Sequence, residues 1–363
     1  MTASQFGIVG GAAVPHAPQL LSVPKSEDAE QVARVRAAMG RIGEGLRALK
    51  PDLVLLISNE HGDQFILDAV PAFMVHCGAR AMGHDGHKGW WSVDGSSGYD
   101  LVRALQDENF DPAFTLDAEL GTSFTIPWAF MGWEQNFPVL PLFVNAYVPP
   151  QPSPERCFAF GKALDRAVTR MGRRAVLIAS GGLSHYPGTA RYANPGPDLA
   201  FDRQAYKAIE AGNFRMLLGS DAEALDRTGN VEARAWLMLA GALGERRPDH
   251  AIYEENWHHT YAVFGWTKEQ AATENRPWYD ATPVERVELS RALHTLRTDA
   301  EACRQFIKDA AAFSRDFELN DNERRALVAL DQDVLRDTLK VHPLLVAGAA
   351  RRIGIVRNQQ QSA

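Results

Sequence analysis

Two histidines each close an apolar run. His16 stands in GAAVPHAPQL between Pro15 and Pro18, and His61 ends DLVLLISNEH. Imidazole nitrogens ligate iron, zinc, copper and nickel, so two histidines at consecutive strand ends of one α/β sheet point to a metal centre. A carboxylate beside them would complete a facial triad, which leaves positions open for non-haem iron(II) chemistry. Glu232, in GNVEARAWLMLAGAL, is the candidate. It falls in the first turn of a predicted helix whose Ala235, Trp236 and Leu239 lie three, four and seven residues further on, so it shares the core-facing side. A buried carboxylate is costly unless it is paired or bound to metal. Asp63, two residues after His61, competes for this role but better suits the orienting of its own loop.

A third histidine, His185, follows the apolar run AVLIAS in SGGLSH, where glycines allow a tight turn. It fits either a ligand or a general base, its ordinary pKa of about 6.5 suiting proton transfer at neutral pH. His84, His87, His250 and His294 read as solvated loop or helix-face residues, whereas His258 and His259 precede the last predicted strand and are candidates for a pocket wall. Singly, each histidine fits a turn bonded to backbone, and Glu232 fits a charge favoured by a helix N-terminus. The joint pattern of His16, His61, His185 and Glu232 favours a site.

Positioning these residues requires a sheet. Residues 7–14, 52–58, 138–144, 175–180 and 260–266 read as short buried strands. Between the first two, Val32, Val35, Met39, Ile42, Leu46 and Leu49 recur at helical spacing until Pro51 stops them. The alternation predicts an α/β fold, a mixed sheet covered by helices on both faces. Residues 83–98, GHDGHKGWWSVDGSSG, show neither period and are expected to form a long loop. The catalytic domain is expected over 1–270, followed by a polar, proline-bearing linker over 271–282. Residues 283–363 read as a small all-α domain, with a capping-box signal at Asn320 and Glu323 and a helix break at His342-Pro343. The tail NQQQSA has a disordered composition.

Composition narrows the partners. The chain has 363 residues, 45% hydrophobic and 23% charged, with a net charge of −7 and no basic run to grip phosphates, which argues against nucleic acid. No apolar stretch approaches the roughly 18 residues of a membrane span, and the first residues lack a signal-peptide pattern. Cys77, Cys157 and Cys303 are scattered without a CxxC pair, as thiols of a reducing cytoplasm would be.

At these residues the chain resembles the class III extradiol ring-cleavage dioxygenases, the LigB type typified by protocatechuate 4,5-dioxygenase. The matching pieces are VPHAPQL, ISNEHGDQF, QPSPERCFAFGKAL, IASGGLSHYPG and NVEARAWLMLAGAL, in the family's order, within residues 7–266. FELNDNERRALVALDQDVLRDTLKVHPLLVAGAARRIG resembles the family's small helical LigA subunit, here fused behind the large one as in gallate dioxygenase-like members. The resemblance implies iron(II) held by His16, His61 and Glu232, with His185 as the acid/base, acting on a small aromatic substrate and dioxygen. It also implies a homo-oligomer, dimer or tetramer, to which the helical domain contributes.

One departure bears on the substrate. Many members carry an Asp-His-Gly whose histidine faces the ring, and DAELGTSFTIP puts Leu120 at that position here. Thr122 or Ser123 is then the expected replacement donor. The change widens the expected substrates from protocatechuate and gallate to rings with one fewer oxygen or with a ring nitrogen, such as 3-hydroxy-4-pyridone. Two other classes compete. A zinc hydrolase can use the same three ligands, although no HExxH is present, and metal identity with dioxygen uptake separates it. A non-catalytic scaffold predicts that His185→Ala is silent, and it has no need of an inward Glu232.

Overall fold

The computed structural model describes residues 6–59, 61, 69–184, 196–244, 246–269 and 282–361. Cα packing divides the chain into Met1–Ala272 and Thr273–Ala363.

The strands of the first unit are β1 (Gly7–Val14), β2 (Leu53–Asn59), β3 (Phe73–His76), β4 (Arg80–Gly83), β5 (Gly89–Ser92), β6 (Ala113–Thr115), β7 (Glu119–Leu120), β8 (Val139–Val144), β9 (Arg174–Ser180), β10 (His250–Glu255) and β11 (Thr260–Trp266). Its helices are α1 (Gln19–Ser22), α2 (Ala29–Ala48), α3 (Gly95–Gln106), α4 (Thr122–Phe130), α5 (Pro154–Arg170), α6 (Leu199–Glu210), α7 (Arg215–Leu218), α8 (Ala222–Thr228) and α9 (Ala233–Leu243). Eight strands form one mixed sheet in the order β10-β11-β1-β9-β2-β8-β3-β6. Its middle strands β1, β9, β2 and β8 run parallel, while β11, β10 and β3 are antiparallel to their neighbours β1, β11 and β8. The middle strands are buried almost throughout, as strands covered on both faces must be.

The five predicted strands all appear, and the mixed α/β sheet is as expected. The register explains why their ends matter. Val14 and Ser58 both pair with Ser180, and Asn59 pairs with Val144, so four parallel strands finish level at one edge. In open α/β sheets that carboxyl edge is where ligands bind.

Helices cover both faces. Gly10 faces Leu46 and Leu49 at the end of α2, while the adjacent Gly11 faces Leu239 and Leu243 of α9 on the other side. Asp28 caps α2 by accepting from the N–H groups of Glu30 and Gln31, and Val32, Val35, Met39, Ile42 and Leu46 are all buried. Full burial of such a side chain contributes about 1.5–3 kcal/mol. On the opposite face α5 and α9 touch backbone to backbone. A Cβ on Gly161 would lie 1.9 Å from the Met238 carbonyl oxygen, and one on Gly241 would lie 2.0 Å from that of Phe158.

The stretch 83–98 departs from the loop expectation. β4 and β5 pair as a hairpin, β7 joins them in a three-stranded sheet, and α3 begins at Gly95. Trp91 is buried against Trp128 while its neighbour Trp90 is exposed. That in-out alternation makes a short strand, its period hidden by the surrounding glycines.

The second unit is helical, as expected: α10 (Val287–Thr298), α11 (Ala300–Lys308), α12 (Ala310–Ser314), α13 (Asp321–Ala329) and α14 (Pro343–Gln361). Asn320 and Glu323 form the predicted capping box, and α14 starts at Pro343, after the predicted break. Leu289, Leu293, Leu296, Phe306, Leu327 and Ile353 belong to its own core. Most of the expected linker over 271–282 falls outside the described residues. Among the described residues, no helix is long and apolar enough to cross a membrane. All three cysteines are free and buried, and burial pushes the thiols of Cys77 and Cys157 up to about 11 and about 12.

Candidate functional site

His16 emerges from the end of β1, His61 from the end of β2, and Glu232 immediately precedes α9. Glu232 occupies the cap position with helical backbone, yet its side chain makes no cap hydrogen bond. It turns to the histidines instead. His16 Nε2 lies 3.3 Å and His61 Nε2 3.1 Å from the same carboxylate oxygen, Oε1. The two rings meet edge to face with centroids 5.1 Å apart. One ligand atom from each of the three residues falls within 4.8 Å of the others. His16 and Glu232 are buried, and His61 is the exposed member.

Neighbouring groups fix the orientation of His16. Its Nδ1 lies 2.9 Å from the Ser180 hydroxyl, at the end of β9. That hydroxyl donates its one hydrogen to the Ser123 carbonyl, so it must accept from His16. Nδ1 therefore carries a hydrogen, which leaves Nε2, the atom facing Glu232, as the one a metal would take. Such an outer partner fixes the tautomer of a metal-ligating histidine. Glycines let the adjoining loop close in: a Cβ on Gly181 would lie 2.8 Å from the Glu232 carbonyl oxygen.

Two residues that the sequence reading missed complete the surroundings. Tyr147, after β8, donates its hydroxyl hydrogen to Glu232 Oε1 and stacks obliquely on His61 with ring centroids 5.1 Å apart. Arg234 is fully buried. It donates to the carbonyls of Pro152 at 2.9 Å and Val231 at 3.0 Å, tying the loop after Tyr147 to the start of α9. Burial pushes its pKa down from the ordinary arginine value. Their position at strand and helix ends is the only signal the sequence offers for either.

The three residues open onto a cavity of about 490 Å³. Thr122, Gly181, Gly182 and Leu183 form part of its wall, with Glu27, Trp257, His258 and His259 among the others. Glu27 accepts from His258 Nε2 at 3.0 Å and from the Asn256 amide, and the Nδ1 atoms of His258 and His259 are in contact. Two facing imidazole nitrogens need one proton between them, so the carboxylate, through His258, governs which nitrogen of His259 carries hydrogen.

The structure thus brings His16, His61 and Glu232 together and places Thr122, His258 and His259 on the cavity wall. It does not place Leu120 there. That side chain is fully buried in β7, whose position is set by pairing with β4. Ser123 is also buried and acts through its backbone carbonyl on Ser180. Neither is among the described wall residues, and their contact with substrate stands as an expectation of the resemblance alone. Asp63 and His185 lie outside the described residues.

Residues 10–267 match the family of the catalytic LigB subunit of aromatic ring-opening dioxygenase. The chain is 31% identical over 286 residues to the 2,3-dihydroxyphenylpropionate/2,3-dihydroxicinnamic acid 1,2-dioxygenase of Paraburkholderia xenovorans (strain LB400), covering 65% of this chain and 90% of that one. It is 27% identical to the enzyme of the same name from Burkholderia vietnamiensis (strain G4 / LMG 22486), covering 60% and 83%. With the one from Photorhabdus laumondii subsp. laumondii it shares 29% identity over 46% of this chain and 53%, about half, of the relative's length. The match over residues 10–267, more than half of the chain, establishes that this chain belongs to the LigB family of ring-cleaving dioxygenases.

Proposed function

We propose that the chain is an iron(II)-dependent extradiol dioxygenase that opens a single aromatic or pyridone ring bearing two adjacent oxygens. The observation that carries this reading is the convergence of His16 Nε2 and His61 Nε2 on Glu232 Oε1, at 3.3 and 3.1 Å, at a cavity of about 490 Å³, ample for a small aromatic ligand. The donor set fits a ferrous ion, since two neutral imidazoles and one carboxylate suit iron and leave several positions open. When bound, the ion supplies Lewis acidity toward a ring hydroxyl and a path for electrons from the ring to dioxygen.

The protein's own groups do the rest. Ser180 holds the His16 proton on Nδ1, and Tyr147 holds the Glu232 carboxylate in place. His185 is the proposed acid/base, taking the proton of a ring hydroxyl on an imidazole nitrogen and returning it as the ring opens. Thr122, His258 and His259 offer the polar contacts that orient the ring's far side.

The wider organisation is part of the same proposal. Residues 1–270 form the catalytic domain and 283–363 a LigA-like helical domain, supported by the separate cores of the two units. A cytoplasmic homo-oligomer, dimer or tetramer, suits free buried thiols and this helical domain.

The test is dioxygen uptake by anaerobically iron(II)-loaded protein, with protocatechuate, gallate, 2,3-dihydroxyphenylpropionate, 2-aminophenol and 3-hydroxy-4-pyridone in parallel. Fast uptake with one ring names the substrate group. Iron-replete protein inert toward all five would contradict this substrate range, and protein that takes zinc and hydrolyses instead would replace the reading.

A further inference from the structure

A second buried carboxylate stands behind the cavity wall, outside the His16, His61 and Glu232 cluster. Asp202, in α6, has no exposed surface. Its Oδ1 accepts from the Ser184 N–H at 3.2 Å and the Asn230 side-chain amide at 3.3 Å. Its Oδ2 accepts from the hydroxyls of Ser184 at 2.7 Å and Thr260 at 2.6 Å. The Ser184 hydroxyl in turn accepts from the Asp198 N–H at 2.8 Å, so its hydrogen is committed to Asp202. Thr260 N–H closes the ring of contacts by donating to the Ser184 carbonyl at 3.3 Å.

These partners come from three segments distant in sequence, and each segment furnishes cavity wall. Ser184 follows Gly181–Leu183, Asn230 stands two residues before Glu232, and Thr260 is both a wall residue and the neighbour of His259. Burial pushes the Asp202 carboxyl above its ordinary range, against the hydrogen bonds from Ser184, Thr260 and Asn230. An apolar side chain would escape that desolvation cost, so stability alone is a poor reason for a carboxyl here. A side chain with four acceptor positions, by contrast, can fix three segments at once.

We propose that Asp202 is a positioning residue that sets the relative placement of the Gly181–Ser184, Asn230–Glu232 and His259–Thr260 segments for turnover. The inference rests on the ring-cleaving function proposed above. The hydrogen bonds of Asp202 run to Ser184, Asn230 and Thr260 and not to His16, His61 or Glu232, so its effect on the reaction runs through the walls it holds.

Asp202→Asn in the full-length, iron(II)-loaded protein tests this, because it keeps the volume but turns one acceptor end into a donor facing two hydroxyls. The expected result is unchanged iron stoichiometry, KM within about threefold, and kcat lower by roughly 10–100-fold, the scale of a small misplacement. Amide hydrogen exchange should quicken at Ser184 and Thr260. Ser184→Ala and Thr260→Val should each reproduce part of the fall and add little to Asp202→Asn, and they carry the test if that variant does not fold. Loss of iron in proportion to activity, or a lower unfolding midpoint with kcat per iron-loaded molecule intact, would show a purely structural group and overturn the proposal. If the wild type consumes no dioxygen with any ring, the functional reading fails by itself. Exchange then decides the clamp: quickening confined to these segments supports it, and unchanged exchange overturns it.

Discussion

His16 and Ser180 are joined by a 2.9 Å hydrogen bond whose direction is forced, because the serine hydroxyl spends its only hydrogen on the Ser123 carbonyl. The imidazole is therefore held in the tautomer a metal ligand needs before any metal arrives. Ser180→Ala removes that control. Iron(II) affinity is expected to fall roughly 10–100-fold, the usual effect of losing such a partner, measured by anaerobic competition against a chromophoric chelator. An unchanged affinity would show that another acceptor orients the ring.

The ligand set makes a stronger demand. His16→Ala, His61→Ala and Glu232→Ala should each lose stoichiometric iron while keeping the fold, read by metal analysis beside circular dichroism. Chelation of the wild type should abolish dioxygen uptake, and added iron(II) should restore it. Iron retained by all three variants would place the metal elsewhere.

On the far wall, Glu27 accepts from His258 Nε2 at 3.0 Å, and His258 touches His259. Glu27→Gln replaces the carboxylate acceptor of His258 Nε2 with an amide, which disturbs the orientation of His258 and of His259 beside it. The expected outcome is a KM raised by roughly tenfold, with iron content unaffected, from loss of a charged hydrogen bond of about 1.5–3 kcal/mol. Steady-state kinetics on the preferred ring, with metal analysis of the same sample, would reveal it. A normal KM would remove this wall from substrate recognition.

Gly161 faces the Met238 carbonyl of α9 across a gap that a Cβ would close to 1.9 Å. Gly161→Ala forces the two helices apart, and such overpacking typically costs about 1–3 kcal/mol. Urea unfolding followed by tryptophan fluorescence should show a lower midpoint. A wild-type midpoint would mean that the helices separate freely, which would contradict so close a contact.

Much of this architecture was legible because the middle strands are covered on both faces and so appear as uninterrupted apolar runs, such as LVLLIS and AVLIAS. Their ends located His16 and His61, and an acid on the apolar side of a helix located Glu232. Tyr147 escaped notice because NAYVPPQP carries no periodicity, and an aromatic hydroxyl in a loop has many ordinary uses. The Ser123 carbonyl has no sequence signature at all, since every residue supplies one. Leu120, placed at the substrate by order along the chain, is buried in β7 beside β4, and order alone does not say which way such a side chain faces. The β4–β5 hairpin was hidden because four-residue strands flanked by glycine offer too few positions for an alternation to stand out.

The most direct measurement is the fate of isotopically labelled dioxygen. Iron(II)-loaded protein is given its fastest ring under labelled oxygen gas, quenched promptly, and the product is weighed by mass spectrometry. The site described here predicts both atoms of one dioxygen molecule in a single ring-opened product. A product carrying no label, formed equally well without dioxygen, would contradict the account.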